Sequence, residues 1–477
     1  MARNRMRRRW SRRSALLQDL LRTALFRLRN SVLGQGSIII VTGTGRHVTR
    51  EARLLLQDVF GFKPSDFTSN PKSLKTVWQR RVLIEDVFAL SQAATVHDEW
   101  RGKRKVLWLV GLEDPSTSVC TVESALTAEF ADALDYGFER LPDGTLSFTA
   151  LGVLDRWLSL SSLVAEMPSD SVLRLHSEEL KNRSPDTIGQ IAQFVGCTRP
   201  SFPNNPRPSR LTEQNPAFRV VLDSGRVRSQ FNLFPEIQPF LEPTYSNNFA
   251  EAAEEDAPNL SLSGTVIGFY TPDAVYRREA ARLQKNLESL GIKFQLQEVK
   301  PSDNWVRTTL LKAGWIAEAR RSVRGPLLYL DVDAYVHVNP WRYLMDTEAD
   351  IAAVYNDGYL NSATIYIADT PEAQWALDEW VAGSEARLES DKGTLRQIGE
   401  DSDQSVLQEI VDSNRKRTPP SFSFRHLPQT MAYIFDNPQN RRLVGPVFIE
   451  QLQASRESRE ETKRLARRRD RITELEQ

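Results

Sequence analysis

Cysteine is almost absent: Cys120 and Cys197 are the only two in 477 residues. They are too few and too far apart for a disulfide framework or a cysteine metal site, so a reducing compartment is expected. Net charge is also missing, because 62 Lys and Arg balance 62 Asp and Glu, which argues against nucleic acid as a partner. No apolar run is long enough to span a bilayer, and no uninterrupted apolar core of a secretory signal occurs. The expectation is a cytoplasmic protein, soluble or peripheral at a membrane surface.

What is present is the profile of a globular chain, 40% hydrophobic and 26% charged. The length exceeds one ordinary core, so two domains with extensions are expected. Charge is unevenly spread: residues 1–30 hold ten Arg and one acid, Asp19. Leu16, Leu17, Leu20, Leu21, Ala24, Leu25 and Leu28 fall at helical spacing there. Such a basic amphipathic helix attaches to an anionic membrane, packs on a neighbouring domain, or acts as a removable targeting peptide.

Ser37-Ile38-Ile39-Ile40-Val41 reads as a buried strand, followed by the loop Thr42-Gly43-Thr44-Gly45-Arg46-His47-Val48-Thr49 and a helix through Leu54, Leu55, Val59 and Phe60. Strand, glycine loop and helix N-terminus form an anion-binding arrangement, since loop amides and the helix dipole face a phosphate. Downstream, Val106–Val110 reads as a second strand, and Ser171–Leu180 with Ile188, Ile191, Phe194 and Val195 as a strand and helix. This set resembles the sulfotransferase family over about residues 36–200. The resemblance implies a P-loop-like domain binding the sulfate donor PAPS through Gly43, Thr44, Gly45, Arg46 and Thr49. Val48 stands where the usual loop has glycine, and Glu113 where the family has the Arg preceding its Asp-Pro pair; a carboxylate there repels a phosphate.

The second half is organised around Gly325-Pro326-Leu327-Leu328-Tyr329-Leu330-Asp331-Val332-Asp333-Ala334-Tyr335-Val336. Its apolar run reads as a buried strand that ends on two carboxylates, Asp331 and Asp333, which in an extended chain point to the same side and can share a divalent cation. Open α/β sheets bind ligands beyond the carboxyl ends of their strands, where this pair falls. Around it, strands at Thr265–Thr271, Phe294–Val299, Asp350–Tyr355 and Leu360–Ala368 alternate with helical patterns, implying a mainly parallel, doubly wound sheet. Asp401-Ser402-Asp403-Gln404-Ser405 opens a further helix, and Phe424–Pro428 closes the series.

Asp331-Val332-Asp333, Asn361-Ser362 and Asp403-Gln404, in that order, resemble the landmarks of the nucleotide-diphospho-sugar transferases, the GT-A glycosyltransferases, over about residues 265–436. The likeness implies Mn²⁺ or Mg²⁺ held by Asp331 and Asp333, with His426 as a third ligand. It implies Asp403, Gln404 and Asn361 in catalysis, and Thr271, Lys312 and Ser362 against a nucleotide-diphosphate sugar. A hard cation on carboxylates suits a leaving diphosphate whose charge rises as the glycosidic bond breaks. The structural alternatives are a solvated turn for the Asp pair and a strand-end histidine for His426.

The expected fold class is therefore α/β, with two doubly wound, mostly parallel-sheet domains, P-loop/sulfotransferase-like and then GT-A-like, and helical extensions at both ends. The boundaries are a basic amphipathic extension at 1–34, the first domain at 35–240, a Pro- and acid-rich linker at 241–264, the transferase domain at 265–447 and a charged helical tail at 448–477, whose residues 456–477 read as a solvated helix or a weak oligomerisation segment. The expected function is sugar transfer to a glycan or other acceptor. Two alternatives stay open for the first domain: PAPS-dependent sulfo transfer, or a non-catalytic module that recognises the acceptor.

Overall fold

The computed structural model describes most of residues 37–112 and 138–197, Phe234, and most of residues 264–477. The basic extension, Thr44 and Gly45, Glu113, the Pro-rich stretch after Arg199, residues 241–263 of the linker and Asp401 lie outside the described residues. The chain divides into two compact units, Met1–Asp114 with Leu163–Glu213, and Pro115–Ser162 with Gln214–Gln477. Among the described residues no helix is long and apolar enough to cross a membrane.

In the first unit β1 (Ser37–Gly43) leads into helix α1 (Arg46–Phe60), followed by β2 (Phe67–Thr68), β3 (Arg81–Glu85) and β4 (Lys105–Leu112). The chain then enters the second unit for a two-stranded antiparallel pair, β5 (Phe138–Arg140) and β6 (Leu146–Phe148), and most of helix α2 (Ala150–Ala165), through which the division between units runs, before β7 (Val172–His176), α3 (Ser177–Asn182) and α4 (Pro185–Val195) complete the first. The sheet is all parallel in the order β2-β3-β1-β4-β7, placing β1 centrally. Alternation along β1 and β4 sends Ile39, Val41, Leu107 and Leu109 into one core with Val48, Ala52, Leu55, Leu56 and Val59 of α1. Each fully buried aliphatic there contributes about 1.5–3 kcal/mol. Ser184 caps α4 by accepting from the Thr187 amide, and Gly196, at φ +66°, ends it.

The second unit continues with β8 (Thr265–Tyr270), α5 (Ala274–Ser289), β9 (Phe294–Glu298), α6 (Trp305–Leu310), α7 (Lys312–Ser322) and β10 (Leu327–Leu330). Then come β11 (Ala334–Val336), α8 (Trp341–Leu344), β12 (Ile351–Asn356), β13 (Tyr359–Ile367), α9 (Pro371–Ser390), α10 (Asp403–Arg415) and β14 (Phe424–Leu427). β15 (Tyr433–Ile434), β16 (Ile449–Gln451), α11 (Ser455–Ser458) and α12 (Thr462–Leu475) complete it. The main sheet runs β14-β12-β13-β10-β8-β9. It is mixed: β9, β8 and β10 are parallel, β14 parallels β12, and β13 is antiparallel to both β10 and β12. The reversal follows from the tight connection between β12 and β13, which only antiparallel strands accept. Residues of α7, α9 and α10, among them Ile316, Trp380 and Val406, bury one face against Ile267, Tyr329, Ile365 and Ile351. Helix α5 packs against β8, β9 and β11.

Three sequence expectations change. The strand that ends at the Asp pair stops at Leu330, and Asp331-Val332-Asp333 is a turn closed by the Ala334 amide on Asp331 O at 3.0 Å rather than extended chain; β11 then joins β16 and β15 in a small three-stranded sheet. The charged helical tail does not begin at residue 448, since β16 pairs with β11 and Ile449, Leu452 and Ala454 are buried. The first domain does not extend to residue 240, because Phe234 is fully buried in the second unit, edge-on to Phe448 at 6.3 Å with Arg342 over its ring at 4.8 Å. Phe234→Ala is accordingly expected to cost the second unit about 3 kcal/mol in denaturant unfolding. A loss below about 0.5 kcal/mol would mean that the ring contributes little.

Candidate active site

The site is built from the N-terminal ends of two helices and the carboxyl end of β10. Lys312 is the first residue of α7 and is buried, an unfavourable place for a cation because the helix N-terminus is itself positive. Two carboxylates compensate. Its Nζ lies 3.1 Å from Asp331 Oδ1 and 3.0 Å from Asp403 Oδ2, and donates to Ser362 O at 3.3 Å and Ser362 Oγ at 3.2 Å. Burial alone would lower the ammonium's pKa, but the Asp331 and Asp403 charges override it and hold it above its ordinary value. The ammonium also sits 5.1 Å over the Tyr329 ring.

Asp403 opens α10, where a carboxylate suits the helix dipole, and the preceding Ser402 caps the helix through the Ser405 amide. Its Oδ2 accepts from Ser362 Oγ at 2.7 Å, and its carbonyl accepts from Trp380 Nε1 at 2.9 Å. Asn361 bonds back onto the chain, its Oδ1 accepting from the Ala363 amide at 2.8 Å, beside the irregularity between Ala353 and Val354. The structure thus brings Lys312, Asp331, Ser362 and Asp403 into one bonded cluster, with Asn361 adjoining Ser362.

The two aspartates are held differently. Asp331 follows β10, its amide donating to Ala363 O at 3.0 Å, and its Oδ1 takes both Lys312 and the Tyr329 hydroxyl, the latter at 2.7 Å. Asp333 is buried, and its Oδ2 accepts from the Ala454 amide at 2.6 Å. Burial first, and then the Asp331 charge, push the Asp333 carboxyl up, against the Ala454 bond and the guanidinium charges of Arg468 and Arg282. One oxygen of each carboxylate carries no bond to a described residue, leaving two hard donors for a divalent cation. Among the described residues no three His, Cys, Asp or Glu side chains gather into a metal-holding group, so the remaining ligands of such an ion would be substrate phosphate and water.

His426 is not brought to this pair. It lies on edge strand β14, separated from β10 by β12 and β13, with its ring 4.4 Å from that of Tyr355 and a contact to Arg415. Thr271 Oγ1 donates to Asp273 Oδ2 at 2.6 Å at the cap of α5, and Gln404 is the half-buried second residue of α10. In the first unit Thr49 is buried, and a Val48 methyl lies 2.7 Å from where a Cβ on Gly43 would stand and 2.6 Å from one on Gly111. Only glycine fits at either position, and Val48 occupies the space beside both. Sequence reasoning missed Tyr329, Trp380 and Ala454; Tyr329 alone left a signal, two residues before Asp331 on the strand that leads to it.

No family model matches the chain, and no curated protein matches it. Among solved structures, a glycosyltransferase involved in glycosylation of the major capsid of PBCV-1 is similar at 15% identity over 43% of this chain and 97% of its own, with TM-score 0.32. Two structures of the glycosyltransferase GlyE of Streptococcus pneumoniae TIGR4, one of them the apo form, are similar at 13% and 14% identity, with TM-scores of 0.26 and 0.25. They cover 40% and 39% of this chain, which spans about half the length of each (54%).

Two outcomes test the site's energetics. Lys312→Met leaves Asp403 and Asp331 facing each other unneutralised and is expected to cost about 3–5 kcal/mol in chemical unfolding, with Asp403→Asn restoring part of it. A loss under about 1 kcal/mol would show that the ammonium is dispensable. His426 is held down to about 3, first by burial and then by the Arg415 charge, from an ordinary 6.5. The unfolded chain therefore binds a proton that the native state refuses, and stability falls as pH drops from about 6.5 towards 3. His426→Gln is expected to flatten that part of the stability–pH curve; an unchanged slope would place the titration elsewhere.

Proposed function

We propose that the second unit is a glycosyltransferase that moves a sugar from a nucleotide-diphosphate donor to a glycan or other acceptor with the aid of Mn²⁺ or Mg²⁺. The observation that carries this is the buried Lys312 joining Asp331, at the end of a central strand, to Asp403 and Ser362. In the transfer the bond from the sugar's C1 to phosphate breaks, a bond from C1 to an acceptor oxygen forms, and the acceptor's proton is lost. The cation, when bound, neutralises the diphosphate as it leaves. Asp331 and Asp333 would hold it through the oxygens that carry no bond to a described residue. Asp403 keeps Oδ1 without a bond to a described residue, which makes it the acceptor for a donor-sugar hydroxyl, while Lys312 and Ser362 fix its other oxygen. Lys312 sets the charge of the cluster at minus one before the cation arrives, which favours a divalent ion without stacking unopposed carboxylates.

For the first unit the acceptor-recognition reading is favoured over sulfo transfer by Glu113, which stands where the resembled family has an Arg and whose carboxylate repels a phosphate. Asp331→Asn and Asp403→Asn are each expected to lower metal-dependent sugar-nucleotide hydrolysis at least about 100-fold. Chelation by EDTA is expected to abolish it in the unmodified protein. Wild-type turnover in Asp331→Asn would remove the cation role assigned here.

A further inference from the structure

The Asp331–Asp333 turn is held by chain from the far C-terminus. The amide of Leu452 donates to Asp333 O at 3.0 Å and that of Ala454 to Asp333 Oδ2 at 2.6 Å, so one short segment grips both the backbone and the carboxylate of a single residue. Between them Gln453 adopts φ +56°, a left-handed conformation that non-glycine residues seldom adopt. Such strain persists only where the surroundings over-determine it, and here it lets both amides point at Asp333.

The segment is in turn fixed by Arg468. On a helix whose Arg464, Arg467 and Arg469 are exposed, Arg468 is 1% exposed. Its Nε donates to Leu452 O at 2.8 Å, Nη1 to Glu457 at 2.9 Å, and Nη2 pairs with the fully buried Glu279 of α5 at 2.6 Å. Glu279 also pairs with Arg282. Burying this ion pair is expensive, and an apolar pair of similar volume would serve packing as well. What an apolar pair would not do is hold the Leu452 carbonyl, and through it the two amides on Asp333. Helix α5 reaches the same place by a second route: Asn286 exchanges hydrogen bonds with both N and O of Val336, on the strand that leaves the turn.

We propose that Arg468 is a positioning residue for the cation site, seating residues 452–454 beneath the Asp331–Asp333 turn so that Asp333 presents one fixed oxygen. The proposal rests on the cation reading above. In the full-length protein, Arg468→Lys, which keeps the charge but loses the planar three-way grip, is expected to weaken binding of Mn²⁺ alone about tenfold. Arg464→Gln, an exposed change on the same helix, is expected to leave that affinity unaltered. By linkage, saturating Mg²⁺ should slow amide exchange across residues 452–454 of the unmodified protein, followed by mass spectrometry, a measurement that needs no variant. An Mn²⁺ affinity unchanged in Arg468→Lys, or exchange at 452–454 indifferent to Mg²⁺ while the unmodified protein binds Mn²⁺, overturns the positioning role alone. Failure of the unmodified protein to bind Mn²⁺ overturns the cation reading and this inference with it.

Discussion

A buried ammonium between two carboxylates is the constraint on which the second unit turns. Lys312 sits at a helix N-terminus, inside the protein, where neither the helix dipole nor the low dielectric welcomes a positive charge. It is tolerable only because Asp331 and Asp403 arrive from two other elements and stand 3.1 and 3.0 Å away. β10 therefore has to end where α7 and α10 begin, and β13 has to lie alongside with Ser362 facing inward. One electrostatic requirement thus aligns four elements, and the same alignment places three polar groups where the strands of an open sheet give out.

The mixed sheet explains why the two aspartates differ. Asp331 directly follows β10, its amide bonded across to β13, and it shares in the ammonium cluster. Two residues later the chain has left for a second, smaller sheet, and Asp333 answers to the C-terminal segment instead. A cation between them would be held jointly by the sheet core and by the last strand and helix of the chain. The C-terminal residues would thereby become part of such a site.

Much of this was legible in the residues. Ile38-Ile39-Ile40, Leu327–Leu330 and the alternation around Ile365 mark strands because β-branched and apolar side chains fit a buried pleat. The three polar landmarks, read from their order as separate metal, donor and sugar contacts, supply Asp331, Ser362 and Asp403, which the fold joins through Lys312. What failed depended on distant chain. Alternation made Asp331 and Asp333 equivalent, and nothing local announces that β11 pairs with residues more than a hundred positions later. The charge of residues 456–477 reads as solvated until Glu279 and Glu457 are found opposite Arg468. Phe234 looks like any loop aromatic until Phe448 meets it. His426 has a ligand's chemistry, and only the strand order sets it at the sheet's edge.

The central claim is that the cluster at the end of β10 serves a nucleotide-diphosphate sugar bound with a divalent cation. It is tested most directly by the unfolding temperature of the full-length protein against a panel of sugar nucleotides, with and without Mn²⁺. The account predicts that at least one donor raises the unfolding temperature when Mn²⁺ is present, as mass action requires of a ligand that binds only the native state, and that the shift disappears in EDTA. A protein whose unfolding temperature no sugar nucleotide moves, with or without the metal, would contradict it.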